Sequence, residues 1–365
     1  MRKIIITERQ YKLLHEIDKE GEFKDVKMQC IPLWKMEDYL NRVRANAKYG
    51  KGEYQKREKF NLDMPYVHAK STFFKGDWEK GDFSVNMDYF IQQITTPPDS
   101  IIGTNEKIAK SGGNRLFFYK TGVPAIKGIA YNKKEDKFEI VNTCPGAGAC
   151  MNFCYATKGR YIQYPDSYDK MTRTLNFLLN DPKGYGEQLY NELKDKAIEH
   201  NALEGYKNWV VVRWNDSGDF FSNTMLEQSV NAIARLREEG YQVRDYAYTK
   251  MADVASSGKI KNTTFSTSAN KRELKKVDME NQKLQFEVPR ILAKGLDLDK
   301  YSDEEEFKKR VSKHFNIPFE TILTYDEMMQ IPDKGVPKYN ALITSNDGDD
   351  AAERVDIKGI YILIH

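Results

Sequence analysis

The spacing of apolar positions changes repeatedly along the chain, and each change predicts a different kind of element. From Arg2 to about Asn46 a short strand leads into helical stripes, Leu13, Leu14 and Ile17 first, then Met36, Tyr39, Leu40 and Val43. Between Asp77 and Gly113 the pattern lapses into loop, punctuated by Pro97-Pro98 and Gly112-Gly113, with a boundary near residue 110. Strand patterns follow at Arg115 to Tyr119, Ala125 to Tyr131 and Lys137 to Val141, the last two joined by a turn from Asn132 to Asp136. Helical spacing returns at Tyr168, Met171, Leu175 and Leu178, and again at Tyr185, Leu189 and Leu193, ending near Asn201.

Trp209 to Trp214 is a nearly continuous apolar run, the pattern of a strand buried on both faces. A polar loop, Asn215 to Ser222, precedes a helix that the box Thr224 to Glu227 would cap, with Met225, Ala232, Ile233 and Leu236 as its buried stripe and Gly240 at its end. Strands at Val243 to Tyr248 and Thr263 to Thr267 continue the alternation. It predicts an α/β protein built on a partial or complete parallel (β/α) barrel, with ligands at the carboxyl ends of the strands. Beyond it, Ser302 with Glu305 would cap a charged helix from Asp303 to His314. Strands at Tyr339 to Ser345 and Gly359 to Ile364 flank the acidic run Asn346 to Asp350, which lacks the spacing and terminal Glu of an EF-hand and reads as a solvated turn. Three regions result: a helical, loop-rich part over 1–112, an α/β core over 113–275 and an α+β completion of that core over 276–365.

Charge changes this picture little. The chain has 365 residues, with 57 Lys and Arg against 54 Asp and Glu, so the net charge of +3 neither requires nor excludes a nucleic-acid partner. Locally, Lys48, Tyr49, Lys51, Tyr54, Lys56, Arg57, Lys59 and Phe60 interleave cations with rings, as a nucleotide or nucleic-acid contact does, although Glu53 and Glu58 also suit a solvated loop. No apolar run approaches the ~20 residues of a membrane span and the first residues do not resemble a signal peptide, so a cytoplasmic protein without a membrane partner is expected.

In a reducing compartment, clustered cysteines point to metal or redox chemistry. Three of the four cysteines, Cys144, Cys150 and Cys154, lie in one loop whose Gly146 and Gly148 supply its bends. Cys30 sits in an apolar setting and reads as a buried structural residue, and His68 has no spaced partner. Three thiols in one loop admit free cysteines, a structural zinc completed by Cys30 or a histidine, or a [4Fe-4S] cluster with one iron left open to a small molecule. At the strand ends, Ser217-Gly218 permits close backbone approach, Asp219 suits an amino group or ribose hydroxyls, and Arg213 or Asn215 suits a carboxylate. Structurally, Asp219 would instead cap the next helix and Arg213 pair with a neighbouring acid. Tyr248, Lys250, Ser266 and Ser268 occupy later strand ends.

Cys150-Met151-Asn152-Phe153-Cys154-Tyr155 resembles the second half of the radical S-adenosylmethionine (SAM) cluster motif, with an aromatic residue before the last cysteine. A fuller resemblance is to a phage family, the gene product eighty-eight family. It rests on Cys144-Pro145-Gly146, Cys154-Tyr155-Ala156, Ser217-Gly218-Asp219-Phe220 and Tyr246-Ala247-Tyr248-Thr249 in that order, over about residues 115 to 275. The resemblance implies a phage or mobile-element protein in the host cytoplasm, with Cys144, Cys150 and Cys154 as cluster ligands and SAM on the open iron. SAM would be held by Tyr155, Arg213, Asn215, Ser217, Gly218, Asp219, Tyr248 and Ser266, with a host protein as reductant and a nucleotide or nucleic acid as the expected substrate class. Two other readings stand beside it: a non-catalytic nucleic-acid-binding protein with a structural zinc or iron-sulfur site, and a metal-dependent hydrolase or nuclease using Asp216 and Asp219.

Overall fold

The computed structural model describes residues 26, 28–49, 64–76, 80, 84–105, 108, 110–111, 115–152, 154–157, 161, 164–201, 208–333, 335–344 and 347–363. The expected stripe at Leu13, Leu14 and Ile17, the Gly112-Gly113 boundary and the side chains of the basic-aromatic stretch from Lys48 to Phe60 lie outside what is described.

Eleven strands are described: β1 (Met28–Ile31), β2 (Leu116–Lys120), β3 (Lys127–Asn132), β4 (Lys137–Asn142), β5 (Trp209–Trp214), β6 (Val243–Thr249), β7 (Asn262–Ser266), β8 (Lys283–Val288), β9 (Ile322–Leu323), β10 (Tyr339–Ile343) and β11 (Ile357–Leu363). Eight of them form one parallel sheet in the order β2-β5-β6-β7-β8-β11-β10-β9. The α/β expectation holds. The barrel does not close, and strand order gives the reason. The chain steps outward from β2 to β8, then jumps to the far edge at β9 and returns inward, so that β11 rather than β9 pairs with β8.

That reversal also decides what covers each face. A right-handed crossover moving outward lays its connection on one face, and one moving back lays it on the other. Along β5, Val210, Val212 and Trp214 pack with the helices Pro165–Asn180, Pro182–Asn201 and Asn223–Glu238, while Val211 points the opposite way. On that opposite face Val211 joins Phe118, Tyr246, Leu323, Ala341, Ile343 and Ile360 with Met328, Ala351 and Ala352 from the helices Tyr325–Gln330 and Asp350–Glu353. The returning connections thus fill the side that a barrel would enclose.

A second, antiparallel sheet, β1-β4-β3, carries its own core, in which Met36 and Leu40 of the helix Leu33–Tyr49 meet Phe90, Ile94, Ile129 and Phe138. The helix Met87–Thr95, capped by Asn86 accepting from the Tyr89 N–H at 2.9 Å, stands where only loop was expected. Two capping assignments also change. Ser222, not Thr224, caps Asn223–Glu238, accepting from the Met225 N–H at 3.1 Å. The charged helix starts earlier, at Tyr301, so Ser302 lies within its first turn and Lys300 stands at the cap without a side-chain bond. The described residues contain no helix long and apolar enough to cross a membrane.

Candidate functional site

Strand β4 delivers the chain into the three-cysteine loop, and that loop docks backbone to backbone on the ends of β6 and β7. Ala147 bridges Ala269, and the Asn270 N–H reaches the Gly146 carbonyl at 2.8 Å while the Asn270 side chain reaches the Pro145 carbonyl at 3.1 Å. Only glycine fits such an approach: a Cβ on Gly146 would lie 2.4 Å from the Lys250 carbonyl oxygen, and one on Gly148 2.5 Å from that of Ala269. Gly146→Ala is therefore expected to lower unfolding stability by about 1–3 kcal/mol in urea titrations. Gly122→Ala, with its nearest contact at 3.5 Å, is the tolerated control.

All three thiols lie within electrostatic reach of Lys250. Burial alone would lower this lysine, yet Cys150, Asp219, Cys144 and Cys154 together hold it above its ordinary value. Burial, with Asp219, pushes the Cys144 thiol up to about 12, partly offset by Lys250 and by the Ile126 N–H 3.3 Å from the sulfur. Ile126 makes that bond from a left-handed backbone, φ 66°, where a β-branched residue is strained by about 1–3 kcal/mol. By kind, the donors fit a thiolate-bound cluster: three sulfurs of one loop, a cation beside them and an N–H on one sulfur. Among the described residues no three His, Cys, Asp or Glu groups are placed so that they could hold a metal ion.

Cys30 stands apart. It is half-buried in β1 opposite Glu139, five residues before Cys144. The solvated-turn reading of the acidic run is overturned: Asp349 is 2% exposed and Asp350 also buried, because the connection from β10 to β11 packs against the sheet.

Strand register brings Lys120 beside Arg213, and Arg213 beside Tyr246, on the face that Asp349 covers. Arg213 donates to Asp349 at 2.7 Å, pairs with Asp216 at 3.1 Å, reaches the Tyr155 hydroxyl at 3.3 Å and lies 5.2 Å from the Tyr248 ring centre. Asp349 also accepts from the hydroxyls of Tyr246 at 2.6 Å and Tyr248 at 3.4 Å. Asp216 takes Lys120 at 2.5 Å, Asn105 at 3.0 Å and the Tyr161 hydroxyl, while Tyr155 donates to its backbone carbonyl. Burial would raise the Asp216 carboxyl, but Arg213 and Lys120 outweigh it and hold it well below the usual carboxylate range. Burial, reinforced by Asp216, raises the Tyr155 phenol, whose hydroxyl is turned inward although the residue is 51% exposed.

Of the expected ligand-binding residues, Tyr155, Arg213 and Tyr248 thus share one network, and Arg213 does pair with neighbouring acids. Asp219 belongs to a different tie. It accepts from Thr249 at 2.7 Å and from the N–H groups of Lys250 and Phe220 at 2.8 Å each, and its own N–H reaches Thr143 at 2.9 Å, so it joins the cysteine loop to β6 and caps no helix. Burial raises its carboxyl despite Lys250. Ser266 bonds Ser268 at 2.8 Å at the end of β7. Gly218 has φ 80°, and a Cβ there would meet Val123 at 2.4 Å. With Asp216 ion-paired and both Asp219 oxygens bonded, these carboxylates are not a ready pair for a hydrolytic metal.

Three of the expected residues keep unmatched polar groups. Both amide atoms of Asn215 and the Ser217 hydroxyl are buried without a hydrogen-bond partner among the described residues, as is Arg213 Nε. The sequence pattern does not single out Lys120, Tyr161 or Ile126 as site residues, and it reads Asp349 as part of a solvated turn. Lys120 was within reach, one position beyond a strand that had been recognised, whereas Asp349 carried a misleading signal in its acidic neighbours.

The family model described as Gene product 88 matches residues 101–305. No curated protein and no solved structure matches the chain.

Proposed function

Taking as premise that the chain belongs to the Gene product 88 family, we propose that it is an iron-sulfur enzyme of radical SAM type. Cys144, Cys150 and Cys154 would hold a [4Fe-4S] cluster, and SAM would bind at the iron they leave open. A phage or mobile-element origin accords with the family, and the expected substrate class remains a nucleotide or nucleic acid. The observation that carries the reading is convergence. The three-thiol loop is docked on the ends of β6 and β7, on the same sheet edge as the β5 loop with its unmatched Asn215 and Ser217 groups.

When bound and reduced by a host electron donor, the cluster would supply the electron that cleaves a sulfonium carbon–sulfur bond. The chain's own residues prepare the site. Ile126 directs an N–H at the Cys144 sulfur, and hydrogen bonds to cluster sulfurs help set the potential. Lys250 places positive charge among the thiols, and Asp219 anchors the loop to β6. Tyr155 and Tyr161, both bonded to Asp216, lie beside the β5 loop.

Anaerobic purification followed by iron, sulfide and visible-absorption analysis tests the reading. Iron and sulfide near four each per chain, followed by 5′-deoxyadenosine on reduction with SAM, is the expected result. A colourless protein with stoichiometric zinc would refute it.

A further inference from the structure

The connections that leave the carboxyl ends of β7 and β8 carry the cations Lys271, Arg272, Lys275, Lys276, Arg290 and Lys294, all of them exposed. The one acid within the two stretches 271–276 and 290–294 is Glu273, which is 4% exposed and turned inward to accept from the Ala252 N–H at 3.0 Å. Lys276 is shared between Asp253 at 3.0 Å and Glu273 at 3.5 Å, but Lys271, Lys275, Arg290 and Lys294 have no ion pair among the described residues. Packing brings the two stretches together. Leu274 joins Phe265 and Leu284, Leu292 and Ala293 join Val288 and Phe307, and Phe286 of β8 packs against both groups. Neighbouring strands lie about 4.8 Å apart, so the two connections emerge side by side. Asn270 fixes this rim to the cysteine loop. It caps Lys271–Leu274 by accepting from the Arg272 and Glu273 N–H groups at 3.0 and 3.1 Å, while its own N–H and its side chain hold the Gly146 and Pro145 carbonyls. Cations gathered without acids repel one another and add nothing to folding. An anionic partner accounts for them.

We infer that this basic rim docks the phosphate backbone of a single-stranded nucleic acid beside the cysteine loop. Exposed lysines and arginines neutralise phosphates and release their counterions, which is the main source of sequence-independent affinity. A strand carries one charge per nucleotide, so it can follow cations spread over two neighbouring connections, as a mononucleotide cannot. A single strand fits better than a duplex, because a base must leave its stack before an atom of it can reach a site in the protein. A protein partner fits less well. The centre of a protein interface is apolar and depleted of charge, whereas Ile291 is the one large apolar side chain exposed within these two stretches.

The inference deepens the proposed function and rests on that reading for the substrate class. Fluorescence anisotropy of the full-length protein with a labelled single-stranded 12-nucleotide DNA of mixed sequence tests it without iron or SAM. Affinity should fall with salt at a log–log slope of about −0.7 per neutralised phosphate, or between about −2 and −3 for the four unpaired cations. Lys271→Glu combined with Arg290→Glu, one change on each connection, should weaken binding at least about tenfold and flatten the slope by about 1.4. Lys259→Glu combined with Lys261→Glu alters the net charge equally at the amino end of β7 and should change affinity less than about twofold. Lys271→Gln combined with Arg290→Gln, which removes charge without reversing it, should fall between the two. No saturable binding, a slope near zero, equal losses in the two Glu pairs, or tighter binding of the matching duplex would each overturn the inference. Displacement of the DNA by polyglutamate of equal charge at lower concentration than by unlabelled DNA would also overturn it, and would assign the rim to an acidic protein. Failure here leaves the iron and sulfide result standing, and a colourless zinc protein that still binds DNA through this rim would refute the enzyme reading alone.

Discussion

Replacing Asp349 by alanine is expected to destabilise the protein by about 3–5 kcal/mol, the usual consequence of leaving a buried ionic partner uncompensated. Arg213 is 8% exposed and its guanidinium loses its 2.7 Å partner in this variant. Tyr246, fully buried, loses its 2.6 Å acceptor at the same time. Asp216 remains, but Lys120 and Tyr161 already engage it. Chemical denaturation measures the loss, and a double-mutant cycle isolates its origin. Arg213→Met combined with Asp349→Ala should destabilise less than the sum of the two single changes, because the second change removes the charge that the first stranded. Additive losses would show that the pair does not act as a unit.

The second large effect concerns the thiols. Cys144→Ser, Cys150→Ser and Cys154→Ser should each remove most of the protein-bound iron and the associated visible absorption, whereas Cys30→Ser should leave both near the level of the unaltered chain. Register is the basis for the contrast. Cys30 pairs with Glu139, and the five residues from there to Cys144 correspond to about 15 Å of extended chain. Loss of iron in Cys30→Ser would make it a fourth ligand and close the site to SAM. Retention of iron in any of the other three would remove that residue from the ligand set.

Local pattern made much of this legible. The run Trp209 to Trp214 corresponds residue for residue to β5, because a strand buried on both faces needs little beyond a short series of β-branched and aromatic side chains. The helix ending at Asn201 was equally plain from its periodicity. Caps were less so: Ser222 and Thr224 both suit a helix start, and the path of the preceding chain, not residue type, selects between them. Charge misled at Asp349, since acidic runs ordinarily face water, whereas this one enters the protein on a returning crossover opposite Arg213.

By itself, the sequence determined the alternation of strands and helices, the grouping of three thiols in one loop and the glycines that let that loop lie against its neighbours. These depend on residue type and short-range spacing. Tertiary structure alone decided that β11 pairs with β8, that the sheet stays open and that Asp349 is buried against Arg213. It also decided that the Asn215 amide is enclosed but unmatched. Each of these follows from which distant segments meet, and that choice is set by crossover handedness and by burial of apolar surface over the whole sheet.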